Sequence, residues 1–144
     1  MHSLIPILLI IASNLVFSQT KITWKTLSDV KFEEKVSNED GLYYFYPSFG
    51  AKVKKVEGQL VLITGYALAI DPENGFYVLS KTPFSSCFFC GAGGPETIVE
   101  LELKSDENSF VMDQIITIEG VLKLNEYDIN QCNYILKQAE VYGK

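Results

Sequence analysis

Gln59-Leu60-Val61-Leu62-Ile63-Thr64-Gly65-Tyr66-Ala67-Leu68-Ala69-Ile70 is the stretch of this 144-residue chain that decides its fold. The run is apolar and β-branched, and turn-forming residues follow it at positions 71–75, as is typical of a long strand that enters a turn. Gly65 lies inside the run, where a missing side chain usually marks a bulge or a sharp bend. We therefore expect a long strand that bends at Gly65 and serves both halves of a small barrel.

Four further strands are predicted downstream of this one. The segments are residues 76–80, 97–103, 115–125 and 134–142, and the third of them contains an internal glycine, Gly120. Five strands, two of them long and interrupted by glycine, resemble the OB-fold, a five-stranded Greek-key barrel. The predicted fold class is all-β, with a five-stranded OB-like Greek-key barrel, a short N-terminal extension and at most one or two short helices.

The segment upstream of the barrel is predicted to be an accessory region. Residues 24–27, 30–36 and 42–46 are expected to form short accessory strands or extended arms. Residues 48–56 are expected to form a short helix, because Pro47 precedes them and Gly58 follows. The sequence shows no internal repeat, low-complexity tract or linker, so residues 19–144 are predicted to be a single domain.

The N-terminal segment predicts export. Residues 4–17 are mainly apolar but shorter than the roughly 20 residues that a membrane-spanning helix needs. Val16 and Ser18 stand where small residues precede signal cleavage, so residues 1–18 are expected to be a signal peptide. The mature protein is then expected in the periplasm or outside the cell, with no stable membrane insertion after cleavage.

Charge and composition exclude several classes of function. The formal net charge is −6, and all 12 basic residues are lysines. Without arginine or a net positive charge, nucleic acid is not an expected partner, since phosphate and base recognition depend on cationic side chains. The single histidine, His2, lies in the predicted signal peptide. The mature chain therefore lacks an imidazole for general base catalysis or metal ligation.

Cys87-Phe88-Phe89-Cys90-Gly91 is the chemically most informative motif. Two thiols with this spacing can form half of a zinc or copper site, a redox-active pair or a static disulfide. A closed metal site needs further ligands, of which Cys132 is the only remaining thiol. The candidate metal ligands are therefore Cys87, Cys90 and Cys132, and the candidate disulfide joins Cys87 to Cys90.

Aromatic residues form a second candidate feature. Tyr43, Tyr44, Phe45, Tyr46 and Phe49 form a dense run, and Phe84, Phe88 and Phe89 surround the cysteines. Such residues either pack as core and strand faces or form a ligand-binding platform. Both alternatives remain open at this stage.

Three segments resemble a family of uncharacterised exported proteins of Gram-negative bacteria, mainly of the Bacteroidetes type. They are residues 58–66, residues 83–91 with Gly94-Pro95-Glu96, and residues 120–125. A broader related family of periplasmic domains carries a Cys-x-His pair where this chain has Cys87 and Cys90. The resemblance implies an OB-like domain of unknown function with two soft ligands at one loop, which favours metal handling.

Three functional hypotheses follow. The leading one is a non-enzymatic exported module that binds a metal ion or an envelope protein through residues 81–96. The second is a thiol-disulfide oxidoreductase with Cys87 as nucleophile and Cys90 as the resolving thiol. The third is a structural accessory protein in which the same pair forms a static disulfide.

Export can be tested at the N-terminus of the mature protein. We expect cleavage after Ser18, so that the mature chain begins at Gln19. Peptide mapping of the protein isolated from its native host measures this directly. An intact Met1 recovered from the membrane fraction would contradict the prediction.

Overall fold

The computed structural model describes residues 18–105 and 110–143. The predicted signal peptide therefore lies outside the described residues, apart from Ser18. The strands are β1 (Thr20–Lys21), β2 (Val30–Val36), β3 (Tyr43–Phe49), β4 (Leu60–Asp71), β5 (Phe76–Ser80), β6 (Ile98–Leu103), β7 (Gln114–Leu124) and β8 (Tyr134–Val141). The α-helices are α1 (Trp24–Leu27) and α2 (Ala51–Val56). Among the described residues, no helix has the length and apolarity needed to span a bilayer.

Strands β4 to β8 close into a barrel. Their order is β4-β5-β6-β8-β7, and β7 pairs again with β4. All neighbours are antiparallel except β6 and β8, which run parallel. This order is the Greek-key arrangement of an OB-like barrel, so the predicted fold class is confirmed.

Gly65 is the point at which β4 passes from one half of the barrel to the other. β4 pairs with β7 from Leu60 to Ala67 and with β5 from Tyr66 to Asp71. A Cβ atom at Gly65 would lie 2.6 Å from the Ser80 carbonyl oxygen and 2.8 Å from the Trp24 ring. Glycine is required here because the backbone of β5 and the indole occupy the space of a side chain. The bend itself stays a prediction, since the pairing with β7 continues in register from Leu60 to Ala67.

The barrel interior is apolar and is closed at one end by the N-terminal region. Val61, Ile63, Leu79, Ile118 and Leu136 are among its buried side chains. Leu27 of α1 and Val53 of α2 join the same cluster. The buried Tyr134 hydroxyl donates a 2.6 Å hydrogen bond to the Leu27 carbonyl oxygen, which ties α1 to β8.

Two local predictions need correction. Residues 24–27 form a helical turn instead of an extended segment, because Trp24 folds back over the barrel and its indole nitrogen donates to the Thr64 carbonyl oxygen at 2.8 Å. The helix predicted over residues 48–56 begins only at Ala51. The Asp29 carboxylate accepts a 2.8 Å hydrogen bond from the backbone nitrogen of Lys52, which caps the helix from a distant part of the chain.

β2 and β3 form a separate two-stranded sheet, here called the hairpin arm. Their register pairs Val30 with Phe49 and Val36 with Tyr43. Phe49 anchors the base of the arm in the barrel core, where its ring meets that of Tyr134 at a centroid distance of 5.5 Å. The predicted accessory strands 30–36 and 42–46 correspond to these two strands.

The close packing around Gly65 gives a direct stability prediction. We expect Gly65→Ala to lower the free energy of unfolding by about 3 kcal/mol, because the added methyl group must displace backbone or the Trp24 ring. The control is Thr64→Ala, which removes an exposed 2.7 Å side-chain hydrogen bond to Thr117. This change should lower the free energy of unfolding by about 1 kcal/mol or less. Urea denaturation measures the free energy of unfolding of both variants. An equal decrease in the two would contradict the claim that Gly65 has no space for a side chain.

Candidate functional site

Residues 81–96, here called the cysteine loop, connect β5 to β6 and fold back over the outside of the barrel. Cys87 is fully buried there among Leu68, Val78 and Ile98 of the outer strand faces. These residues form a second apolar cluster, separate from the barrel interior. The loop is therefore a packed part of the fold, and Cys87 is the thiol that anchors it.

Two polar contacts fix the start of the cysteine loop. The backbone nitrogen of Phe84 donates a 2.7 Å hydrogen bond to the Asp113 carboxylate, and the Thr82 hydroxyl donates to the Ser86 carbonyl oxygen at 2.8 Å. Asp113 has a positive φ of 63°, a conformation that Asp tolerates better than most residues. The contacts hold the loop in one position relative to β7.

The two cysteines of the motif lie at either end of a short 3₁₀ turn. The backbone nitrogen of Cys90 donates to the Cys87 carbonyl oxygen at 3.1 Å, and Gly91 ends the turn with a φ of 78°. Their side chains are close enough for Cys87 to raise the pKa of the Cys90 thiol. Both are free thiols, and the Cys90 thiol also donates to the Phe84 carbonyl oxygen at 3.1 Å. The turn thus brings the predicted pair together, while the disulfide itself stays a prediction.

The protonation of these thiols bears on the oxidoreductase hypothesis. Partial desolvation, followed by the proximity of Cys87, raises the pKa of the Cys90 thiol above its ordinary value. A redox-active cysteine has a lowered pKa and is accessible. Cys90 is exposed but lacks the lowered pKa, and Cys87 is inaccessible. The geometry therefore argues against Cys87 as an attacking nucleophile.

Cys132 lies in the loop between β7 and β8, residues 125–133, here called the β7–β8 loop. Its backbone nitrogen donates to the Glu100 carboxylate at 2.9 Å. Burial, reinforced by the Glu100 charge, raises the pKa of the Cys132 thiol to about 12. Within residues 18–105 and 110–143, no cluster of three or more His, Cys, Asp or Glu side chains is placed to hold a metal ion. The three-cysteine metal site stays a prediction that would need ligands from elsewhere.

A cleft of about 300 Å³ opens between the hairpin arm, the cysteine loop and the β7–β8 loop. Its apolar lining, here called the aromatic wall, consists of Tyr44, Phe45, Phe76, Phe88, Phe89, Pro95, Ile98 and Ile129. Its polar lining, here called the polar wall, includes Glu126, Asp128, Asn130, Gln131 and Asn133. We call this the aromatic cleft.

Aromatic contacts hold the walls of the cleft in place. The Phe89 ring packs edge-on against both Phe76 and Phe88, with centroid distances of 6.1 and 5.6 Å. Tyr46 of the hairpin arm also meets Tyr127 of the β7–β8 loop at a centroid distance of 6.0 Å, and both are sequence neighbours of residues that line the cleft. Part of the cleft nonetheless stays open, since Phe45, Phe89 and Ile129 are 48%, 41% and 56% exposed.

The sequence predicts some residues of this site but not their arrangement. Tyr44, Phe45, Phe88 and Phe89 are predicted to be either core residues or a ligand-binding platform, and the structure brings all four to one cleft. The polar wall was missed because residues 126–131 resemble any polar turn. The predicted ligand Cys132 also lines the cleft, whereas Cys87 and Cys90 do not.

Fold and site together define an OB-like barrel with an appended hairpin and an aromatic cleft on its outer surface. No family model and no curated protein matches the chain. A crystal structure of a DUF3299 family protein from Pseudomonas aeruginosa PAO1 is similar, with a TM-score of 0.54 and 14% sequence identity. The match covers 88% of this chain and 98% of that chain. At this identity the likeness shows the fold alone.

The DUF3299 family is an uncharacterised domain family. The expected likeness to an uncharacterised domain is therefore supported at the level of fold. The Bacteroidetes affiliation and the significance of the cysteine motif stay predictions.

The three cysteines should differ sharply in reactivity. We expect iodoacetamide to modify Cys90 in the native protein at pH 8, while the buried Cys87 and the partly buried Cys132, whose pKa is raised, stay unmodified. The pKa of the Cys132 thiol is raised from 9.0 to about 12, so the folded protein resists ionisation of this group more than the unfolded chain does. The free energy of unfolding is therefore unaffected by Cys132 below pH 9 and falls as the pH rises from 9 towards 12. Peptide mass spectrometry measures the modification of each thiol. Rapid labelling of Cys132 at pH 8 would contradict the predicted order of reactivity.

The same measurement separates the metal and disulfide hypotheses. A bound metal would protect Cys90 until a chelator is added, and a disulfide would protect it until a reductant is added. Cys87→Ser is the control, because it removes the second sulfur of either site and should leave Cys90 open to labelling without chelator or reductant.

Proposed function

We propose that this protein is a non-enzymatic module of the cell envelope that binds another protein through the aromatic cleft. The observation that carries the proposal is the cleft itself, in which Phe45, Phe89 and Ile129 stay 41–56% exposed although they stand next to a packed cluster. Concentrated apolar exposure with a polar border is typical of protein interaction sites. The cysteine loop contributes one wall of this site.

The chemistry of the described residues supports binding over catalysis. They include no histidine, and neither the Cys90 nor the Cys132 thiol has a lowered pKa. Glu102 is engaged by the Lys137 ammonium group at 2.8 Å, and Glu100 by Cys132. These two carboxylates therefore do not form the free acid and base pair of a hydrolase.

Binding of zinc or copper is the second proposal for the same loop. It is supported by the contact between the Cys87 and Cys90 side chains, which presents two sulfurs at one turn. The protection experiment described above tests it. Protein binding is favoured, because the cleft exists without any rearrangement of the chain.

The proposed function predicts that Phe89 contributes to binding and that Phe84 does not. Both rings belong to the cysteine loop and are 41% and 42% exposed, but only Phe89 lines the cleft. Peptides selected from a random display library on the immobilised protein are the probe. We expect Phe89→Ala to weaken their binding at least tenfold, or about 1.4 kcal/mol, and Phe84→Ala to leave it unchanged.

Thermal denaturation serves as the control that both variants remain folded. The proposal is wrong if the library yields no peptide that depends on the cleft. It is also wrong if Phe84→Ala and Phe89→Ala weaken binding equally.

A further inference from the structure

The hydrogen-bond register of the hairpin arm decides which backbone groups of β3 are free. Ser37 donates from its backbone nitrogen to the Leu42 carbonyl oxygen at 2.8 Å, and Gly50 donates to that of Asp29 at 2.8 Å. These two contacts mark the hydrogen-bonded pairs at each end of the arm. Because such pairs alternate along an antiparallel ladder, Tyr43 and Phe45 occupy the non-hydrogen-bonded positions.

The backbone N–H and C=O groups of Tyr43 and Phe45 consequently point away from β2. β3 pairs only with β2 among the described strands. No hydrogen bond of the described residues reaches the outward backbone groups of Tyr43 or Phe45. Pro47 occupies the same kind of position opposite Phe32, where its missing N–H leaves the ladder intact. The outer edge of β3 therefore offers unused donors and acceptors at Tyr43 and Phe45.

This edge faces the aromatic cleft. Tyr44 and Phe45 are consecutive and point to opposite faces of β3, yet both line the cleft. A cavity lined from both faces of one strand lies against an edge of that strand. No residue of β2 lines it, so the edge is the outer one, which is free to pair.

The charge at the cleft favours a basic ligand. Glu126 and Asp128 line the polar wall, and no lysine lines the cleft. On the arm, the Lys35 ammonium group is held over the Tyr46 ring at 3.4 Å from its centroid. The site therefore combines an acidic border, an apolar pocket and an open strand edge.

We propose that an extended segment of the partner protein adds to the outer edge of β3 as a third strand of the hairpin arm. A large apolar side chain of that segment occupies the aromatic cleft, and a neighbouring lysine or arginine faces Glu126 and Asp128. Strand addition supplies affinity through main-chain hydrogen bonds and specificity through alternate side chains. The inference rests on the proposed function and specifies the partner that the cleft accepts.

The peptides selected on the cleft provide the test. We expect them to carry an aromatic or large aliphatic residue with a lysine or arginine at a neighbouring position. Single N-methylation should weaken binding at least tenfold at alternate peptide residues and have little effect between them, because only every second N–H faces β3. Glu126→Gln combined with Asp128→Asn should weaken binding several-fold and reduce its dependence on salt.

Two variants at one position isolate the strand edge on the protein. Tyr43 is 77% exposed and lies outside the cleft, so Tyr43→Ala should leave peptide affinity nearly unchanged. Tyr43→Pro also removes the outward N–H, and should weaken binding about tenfold. Amide hydrogen exchange of the other hairpin residues verifies that the arm stays folded. We expect it to do so, because Pro47 already occupies an equivalent position in the same strand.

The outcomes separate the two proposals. Peptides that depend on Phe89 but tolerate N-methylation at every residue, or that are acidic, would overturn strand addition and leave the cleft as a binding site. Equal affinity for Tyr43→Ala and Tyr43→Pro would also overturn it. A selection that yields no peptide dependent on the cleft counts against both proposals.

Discussion

The barrel depends on the close approach of three chain segments at Gly65. β4 must leave its pairing with β7 and begin its pairing with β5 within a few residues, and the Ser80 carbonyl group and the Trp24 ring occupy the space beside it. A side chain there would separate strands that the Greek-key order requires to be adjacent. Leu68 lies on the outer face, where the cysteine loop packs, because side chains alternate along β4 and Val61, Ile63 and Ala67 face the interior.

The outer cluster links the fold to the proposed site. Cys87 is buried against the outside of β4 to β6, so the loop that carries it is held as firmly as a core element. That placement positions Phe88 and Phe89 as one wall of the cleft. Whatever the redox or metal chemistry of the pair, its first thiol already has a packing role in the structure.

The hairpin arm is the least constrained part of the proposed site. It is joined to the barrel through Phe49 at its base and through the contact between Tyr46 and Tyr127 near its middle. An isolated two-stranded sheet has little stability of its own. Addition of a third strand would supply hydrogen bonds and apolar cover that the arm lacks, which gives a physical reason for the open edge and the cleft to lie together.

The sequence by itself determined the barrel strands, because β-branched runs and turn residues act over short distances. It also placed Cys87 beside Cys90, since a turn of four residues is local. Only the tertiary structure decided that Trp24 forms part of a helix and that Asp29 caps α2, because both depend on partners more than 20 residues away. The cleft likewise joins three loops that are distant in the chain, and no local pattern records that they meet.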